Sequence, residues 1–102
     1  MSDFDHTAFD ELLQSRVRLA IVAYLAGAEE AEFTAVRDAI KATDGNASVH
    51  LRKLEDAAYV KMRKRFVDRK PQTLYALTAR GRNALLEYVA HLEKLLPQGK
   101  SK

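Results

Sequence analysis

Cysteine is absent from the 102 residues. That excludes disulfides, thiolate zinc sites and cysteine nucleophiles together. Long apolar runs are absent too, with nothing near the roughly 18 residues a membrane span requires. The opening Met1-Ser2-Asp3-Phe4-Asp5 is acidic and unlike a secretion signal, so a soluble cytoplasmic protein is expected. The length is too short for a barrel enzyme or a two-domain dinucleotide-binding enzyme. Histidines are few, and His6, His50 and His91 are spread too far apart for a metal-ligand pattern, so neither metal nor cofactor is expected. Asp44, His50, Glu55 and Asp56 form the one polar cluster worth testing for catalysis. They lack a nucleophile–base arrangement and a phosphate-cradling loop, so no enzyme is expected.

What is present is one core and an uneven charge. Apolar residues make up 47% of the chain, enough for a single small core that burial against a second copy would help stabilise. The net charge of +3 conceals a split. Residues 1–45 hold four basic and nine acidic side chains, whereas 46–82 hold ten basic and three acidic ones. An acidic half and a basic half in one small domain point to a partner with negative charge.

Glycine and proline are scarce and punctuate the chain at Gly27, Gly45, Pro71, Gly81, Pro97 and Gly99. The segments suggest a tail over 1–8, a folded domain over 9–82, a last helix over 83–96 and a second tail over 97–102. Leu13, Val17, Ala20 and Tyr24 recur at helical spacing within Phe9 to Ala26, and Ser15 either caps a helix from Arg16 or sits inside a longer one. After an acidic connector, Phe33 is expected to be extended. Thr34 then caps a short helix from Ala35 to Lys41 whose Val36, Ala39 and Ile40 face inward. Thr43-Asp44-Gly45 reads as a turn, and Asn46 as the cap of a third helix from Ala47 to Ala58.

Two short helices joined by a tight glycine-containing turn are a helix-turn-helix candidate. At about 100° per residue, Ala47, Leu51, Leu54 and Ala58 share one stripe of the third helix and are expected inside. Ser48, Val49, Arg52 and Lys53 face the other way, and with Asn46 they form the end such a helix presents to base edges in a major groove. Arg52 suits a guanine edge and Val49 a thymine methyl, while Lys53 suits either a base or a phosphate. His50 lies on the flank of the buried stripe, where it either packs between helices or meets DNA.

Tyr59 to Val67 and Thr73 to Leu77 read as two strands around a turn at 68–72. Alternation places Lys61, Arg63 and Arg65 on one face. Val60, Met62 and Phe66 are expected to meet the core on the other face, with Lys64 breaking the pattern by snorkelling or through a bulge. The tip, Arg69-Lys70-Pro71, suits a minor groove or flanking phosphates. Six basic residues exceed what protection of an edge strand needs. Thr78 then caps a helix from Ala79 to Leu96. The order predicts a mainly α (α+β) winged helix-turn-helix with a C-terminal dimerisation helix. Asn46, Ser48, Val49, His50, Arg52, Lys53, Arg63, Arg65, Arg69 and Lys70 are its candidate DNA-binding residues.

The run Asp44-Gly45-Asn46-Ala47-Ser48-Val49-His50-Leu51-Arg52-Lys53-Leu54-Glu55-Asp56-Ala57-Ala58-Tyr59-Val60 resembles the recognition helix of MarR- and ArsR-type winged-helix regulators. Leu77-Thr78-Ala79-Arg80-Gly81 is similar to the Leu-Thr-x-x-Gly start of their following helix. The likeness spans about residues 9–96. It implies a homodimeric transcriptional regulator of double-stranded DNA. Two departures stand out. Ala58 replaces the usual glycine before the wing, and the cysteine motif of metal-sensing ArsR-type repressors is missing.

Leu85, Tyr88, Leu92 and Leu95 follow helical spacing, and Leu86, Val89 and Leu96 widen the surface. That stripe either pairs with a second copy, as the resemblance also implies, or packs on the first helix of its own chain. A small-molecule effector would fit near Phe9, Tyr24 and Tyr88. A winged helix that grips an acidic protein partner is the alternative to DNA binding.

Overall fold

The computed structural model describes residues 10–96. The tails at 1–8 and 97–102 and the expected helix start at Phe9 lie outside them. Four helices and three strands follow in the order α1 (Arg16–Ala26), β1 (Ala31–Glu32), α2 (Phe33–Ala39), α3 (Asp44–Asp56), β2 (Val60–Val67), β3 (Lys70–Leu77) and α4 (Ala79–Glu93). The strands form one antiparallel sheet in the order β1-β3-β2. Element order and the mainly α (α+β) class agree with the sequence expectation, but the last helix stops at Glu93 rather than Leu96.

The first helix begins later than Phe9. Ser15 is extended, and its hydroxyl accepts the Arg18 amide at 3.2 Å, so α1 starts at Arg16. Leu12–Gln14 forms a separate 3-10 turn that drops Leu13 into the core. Leu13 therefore does not set the phase of α1. The helix buries Ile21, Val22 and Leu25, and Tyr24 remains 37% exposed.

The second helix is displaced in the other direction. Glu32, last residue of β1, is the extended residue before it, so Phe33 is its first residue and Thr34 lies inside the first turn. Val36 is buried and Ile40 packs against the core, but Ala39 is exposed.

The third helix also starts early, because Thr43 rather than Asn46 caps it. The Thr43 hydroxyl accepts the Asn46 amide at 3.1 Å, and Gly45 lies within the first turn. Ala47, Leu51 and Leu54 are essentially fully buried, as expected. Ala58 is not part of that stripe. The helix stops at Asp56, and Ala58 turns into the left-handed region at φ 66° and is exposed. Its amide reaches the Glu55 carbonyl and the Tyr59 amide reaches that of Leu54, both at 2.9 Å, which closes a Schellman motif. An alanine there carries a strain that glycine would not. Ala58→Gly is therefore expected to raise stability by about 1 kcal/mol, and Tm by roughly 4–8 °C. Thermal denaturation checks this, and an unchanged or lower Tm would contradict the strain.

The hairpin is tighter and longer than the sequence predicts. Its turn is only Asp68-Arg69, both at positive φ (52° and 67°), and Lys70 already pairs with Val67. β1 covers only Leu74 and Tyr75 of β3, so the outer half of the hairpin projects beyond the sheet. Val60 is buried, Met62 is 38% exposed and Phe66 is 75% exposed. The expectation that this whole face meets the core holds only at its root.

Thr78 secures that root. Its side-chain oxygen accepts the Gly81 amide at 3.0 Å, capping α4, and donates to the Ala58 carbonyl at 2.6 Å. Its own amide donates to the Tyr59 carbonyl at 3.0 Å. The end of α3, the start of β2 and the start of α4 thus meet at one residue.

Candidate nucleic-acid interface

The start of α3 is held from behind and presented in front. Arg37 of α2 donates through Nη1 to Asp44 at 2.7 Å, a surface link between the two helices, and through Nε to Asp38 of its own helix at 2.9 Å. Asn46, Ser48, Val49, Arg52 and Lys53 all face solvent, Val49 with 53% of its surface. Arg52 lies 3.7 Å from Asp56 on the exposed side, an i,i+4 pair that holds the guanidinium only weakly.

A groove of about 940 Å³ runs between α3 and the hairpin. Ser48, Arg52 and Asp56 form one wall, Met62, Lys64 and Thr73 the other, with Phe33 and Tyr75 also lining it. Lys64, which the sequence presents only as a break in alternation, therefore shares a groove with Arg52. No bulge shifts it, since β2 and β3 pair without interruption from Val60↔Leu77 to Val67↔Lys70.

Arg63 and Arg65 lie on the opposite face. Arg63 grips Glu30 with two bonds of 2.8 Å, and this contact holds the Glu30 carboxyl below its ordinary range. Arg65 donates to the Gln72 side chain at 2.5 Å. Arg69 and Lys70 stand exposed at the turn, some 20 Å of strand from the core end of β2.

His50 is turned toward its own chain. Its Nδ1 is 3.0 Å from Nη1 of Arg18, whose Nε donates to the Leu12 carbonyl at 2.7 Å. Arginine only donates, so Nδ1 accepts and the imidazole is neutral with its proton on Nε2. Burial, then the charges of Arg18 and Lys53, hold His50 below its ordinary value of 6.5. The folded chain thus binds this proton less readily than the unfolded one. Stability from this packing is present above pH 6.5 and lost as pH falls through that value toward the folded pKa. A His50→Gln variant should show a shallower loss of Tm between about pH 7 and about pH 5 than the parent, and equal losses would acquit His50.

A second contact ties the same N-terminal turn to the wing. The Tyr59 hydroxyl donates to the Asp10 carboxylate, and burial together with that acid pushes its pKa up to about 12.

Along α4, the expected apolar stripe divides. Leu85 and Tyr88 are half-buried and pack against the chain's own core, with Tyr24 exposed on α1. Leu86 (62%), Val89 (43%) and Leu92 (40%) are exposed, as is Leu95 (54%) beyond the helix end at Glu93. No helix among the described residues is long and apolar enough to cross a membrane, and no cluster among them is arranged to hold a metal ion.

Residues 17–96 match the family described as "Winged helix DNA-binding domain". The uncharacterized protein MJ0432 of Methanocaldococcus jannaschii is 33% identical over 83% of this chain and 92% of its own length. Among solved structures, a transcriptional regulator homologue from Pyrococcus horikoshii superposes with a TM-score of 0.78 at 29% identity, over 84% of this chain and 85% of that one. The MepR–DNA complex of S. aureus shares the fold, with a TM-score of 0.70 at 16% identity over 84% and 73% of the two chains.

Proposed function

The chain belongs to the winged helix DNA-binding domain family, and from that premise we propose that it is a sequence-specific regulator of transcription that binds double-stranded DNA as a homodimer. The observation that carries this reading is the exposed first turn of α3 beside the basic wing, with Arg52 and Lys64 in one groove that Glu32, Glu55 and Asp56 also line. The start of α3 enters the major groove, where Asn46, Ser48, Val49 and Arg52 reach base edges and Lys53 a flanking phosphate. Lys64 joins Arg69 and Lys70 as the phosphate-binding set of the wing. Arg63 and Arg65, engaged by Glu30 and Gln72 on the far face, are secondary.

The exposed apolar residues Leu86, Val89 and Leu92 of α4, with Leu95 just past its end, form the contact between copies. Leu85 and Tyr88 support that helix from within. A twofold pair places two α3 helices about one DNA turn, roughly 34–36 Å, apart on a near-palindromic site.

Selection of bound sequences from random duplexes, with solution mass measured in parallel, tests the proposal. The parent should enrich one inverted repeat, and Arg52→Ala should lose preference at one position per half-site, a discrimination of about 1–3 kcal/mol. Identical enriched sequences would remove Arg52 from readout. Failure of the parent to bind random duplex at low salt would favour an acidic protein as partner instead.

A further inference from the structure

The wing carries an apolar residue that neither the core nor phosphate binding accounts for. Phe66 is 75% exposed near the end of the hairpin, opposite the exposed Pro71. It shares a face with Lys64, and the turn just beyond it carries Arg69 and Lys70. In the hairpin itself, Asp68 is the only acid against six cations.

An apolar plate ringed by positive charge fits a partner with a negative rim and an apolar interior. Duplex DNA has that form, with stacked bases between two rows of phosphates. A turn of B-DNA is about 34 Å, so the minor groove beside an occupied major groove lies about 17 Å away along the axis. Phe66 stands roughly 20 Å of extended strand out from the buried Val60, a reach of the same order.

Resting on the regulator reading above, we propose that Phe66 is a wedge that enters the minor groove and partly unstacks one base step. Arg69 and Lys70 hold the phosphates on either side. Proteins that insert apolar side chains this way kink the duplex and favour steps that open easily, above all pyrimidine–purine steps. The wing would then select sequence at a position where no side chain hydrogen-bonds a base.

The test uses the full chain and the duplex enriched by selection, with 2-aminopurine placed at the step about half a turn outside each α3 contact. Wild-type protein should raise the 2-aminopurine fluorescence severalfold. It should also prefer a TA or CA step there over a GC step by about tenfold. Phe66→Ala should abolish the fluorescence rise and flatten the preference, with an unchanged salt slope because the phosphate contacts remain. Phe66→Leu, another wedge-forming side chain, should retain much of both. An unchanged melting curve in each variant shows that the fold is intact, as expected at so exposed a site.

Persistence of the rise and the step preference in Phe66→Ala overturns the wedge. So does Phe66-dependent binding to vesicles of phosphatidylglycerol and phosphatidylcholine combined with Phe66-independent binding to the duplex, which would assign the residue to a membrane surface. If the wild type shifts no duplex at all, the regulator reading falls and the wedge falls with it. Loss of the wedge alone leaves major-groove selection by Arg52 intact, so the two failures are distinguishable.

Discussion

Gly81→Ala is expected to lower stability by about 3 kcal/mol, a large share of the roughly 5–15 kcal/mol that holds a domain folded. A Cβ on residue 81 would lie 2.2 Å from the Tyr59 carbonyl oxygen and 2.8 Å from Cδ1 of Leu77. The leucine can turn aside, but the carbonyl cannot. It accepts the Thr78 amide at 3.0 Å and lies 3.0 Å from the Thr78 hydroxyl, whose shorter bond goes to the Ala58 carbonyl. Relief therefore requires α4 to move outward, which pulls Thr78 off the Ala58 and Tyr59 carbonyls and loosens the root of the wing. Urea unfolding followed by circular dichroism should show a lower midpoint. Gly45 supplies the contrast, because a Cβ there meets nothing within 4 Å and the site is an exposed helical turn. Gly45→Ala should stabilise by about 0.5–1 kcal/mol through helix propensity alone. Equal behaviour of the two variants would show that the close approach at Gly81 is not what fixes the residue.

Some of these features are plain in the sequence and others are hidden in it, each for a physical reason. The buried stripe Ala47–Leu51–Leu54 was legible because a helix against a core leaves a plain 3.6-residue signature. The start of that helix was not, because Thr43 and Asn46 are both good caps. Ranking alone favours asparagine, whereas the observed start coincides with the extended backbone of Thr43 and the Arg37–Asp44 pair. The two-residue hairpin turn was hidden because its usual marks are asparagine or aspartate followed by glycine, and here an arginine occupies the second position at φ 67°. The place of Lys64 depends on what backs the hairpin, which strand alternation does not display. Alternation put it on the correct face, but a core backing that whole face would have required support along the hairpin. β1 pairs only with Leu74 and Tyr75, so the face that is core at Val60 has become the wall of a groove at Lys64. An eight-residue strand pair beside a two-residue third strand is the sign that most of the hairpin stands free. Arg63 needed a different kind of information, since its partner Glu30 lies 33 residues away and only the folded chain brings them together.

Arg69 leads to a prediction in which stability and binding move in opposite directions. A two-residue hairpin turn of this kind asks for positive φ at both central residues, and glycine meets that demand at the second without strain. Arginine at φ 67° accepts a conformational cost at the tip of a projecting arm, where it has no packing role. In the K64A/R69G/K70A variant the turn is relieved while three phosphate-binding cations per protomer are lost. Tm should rise by several degrees, because about 1 kcal/mol of left-handed strain disappears and the two exposed lysines contribute little to folding. Affinity for duplex should nevertheless fall about 10³-fold at roughly 0.1 M salt. The slope of log K against log salt should flatten by about three to five, since each phosphate contact adds about 0.9 and a dimer loses up to six. Calorimetry and a salt titration of the mobility shift measure the two effects on the same preparation. Weaker binding by a more stable protein cannot be blamed on misfolding, and the preferred sequence in the major groove should survive because Arg52 is untouched. An unchanged salt slope would mean that the wing does not meet the phosphates, and the strained arginine at its tip would then need another explanation.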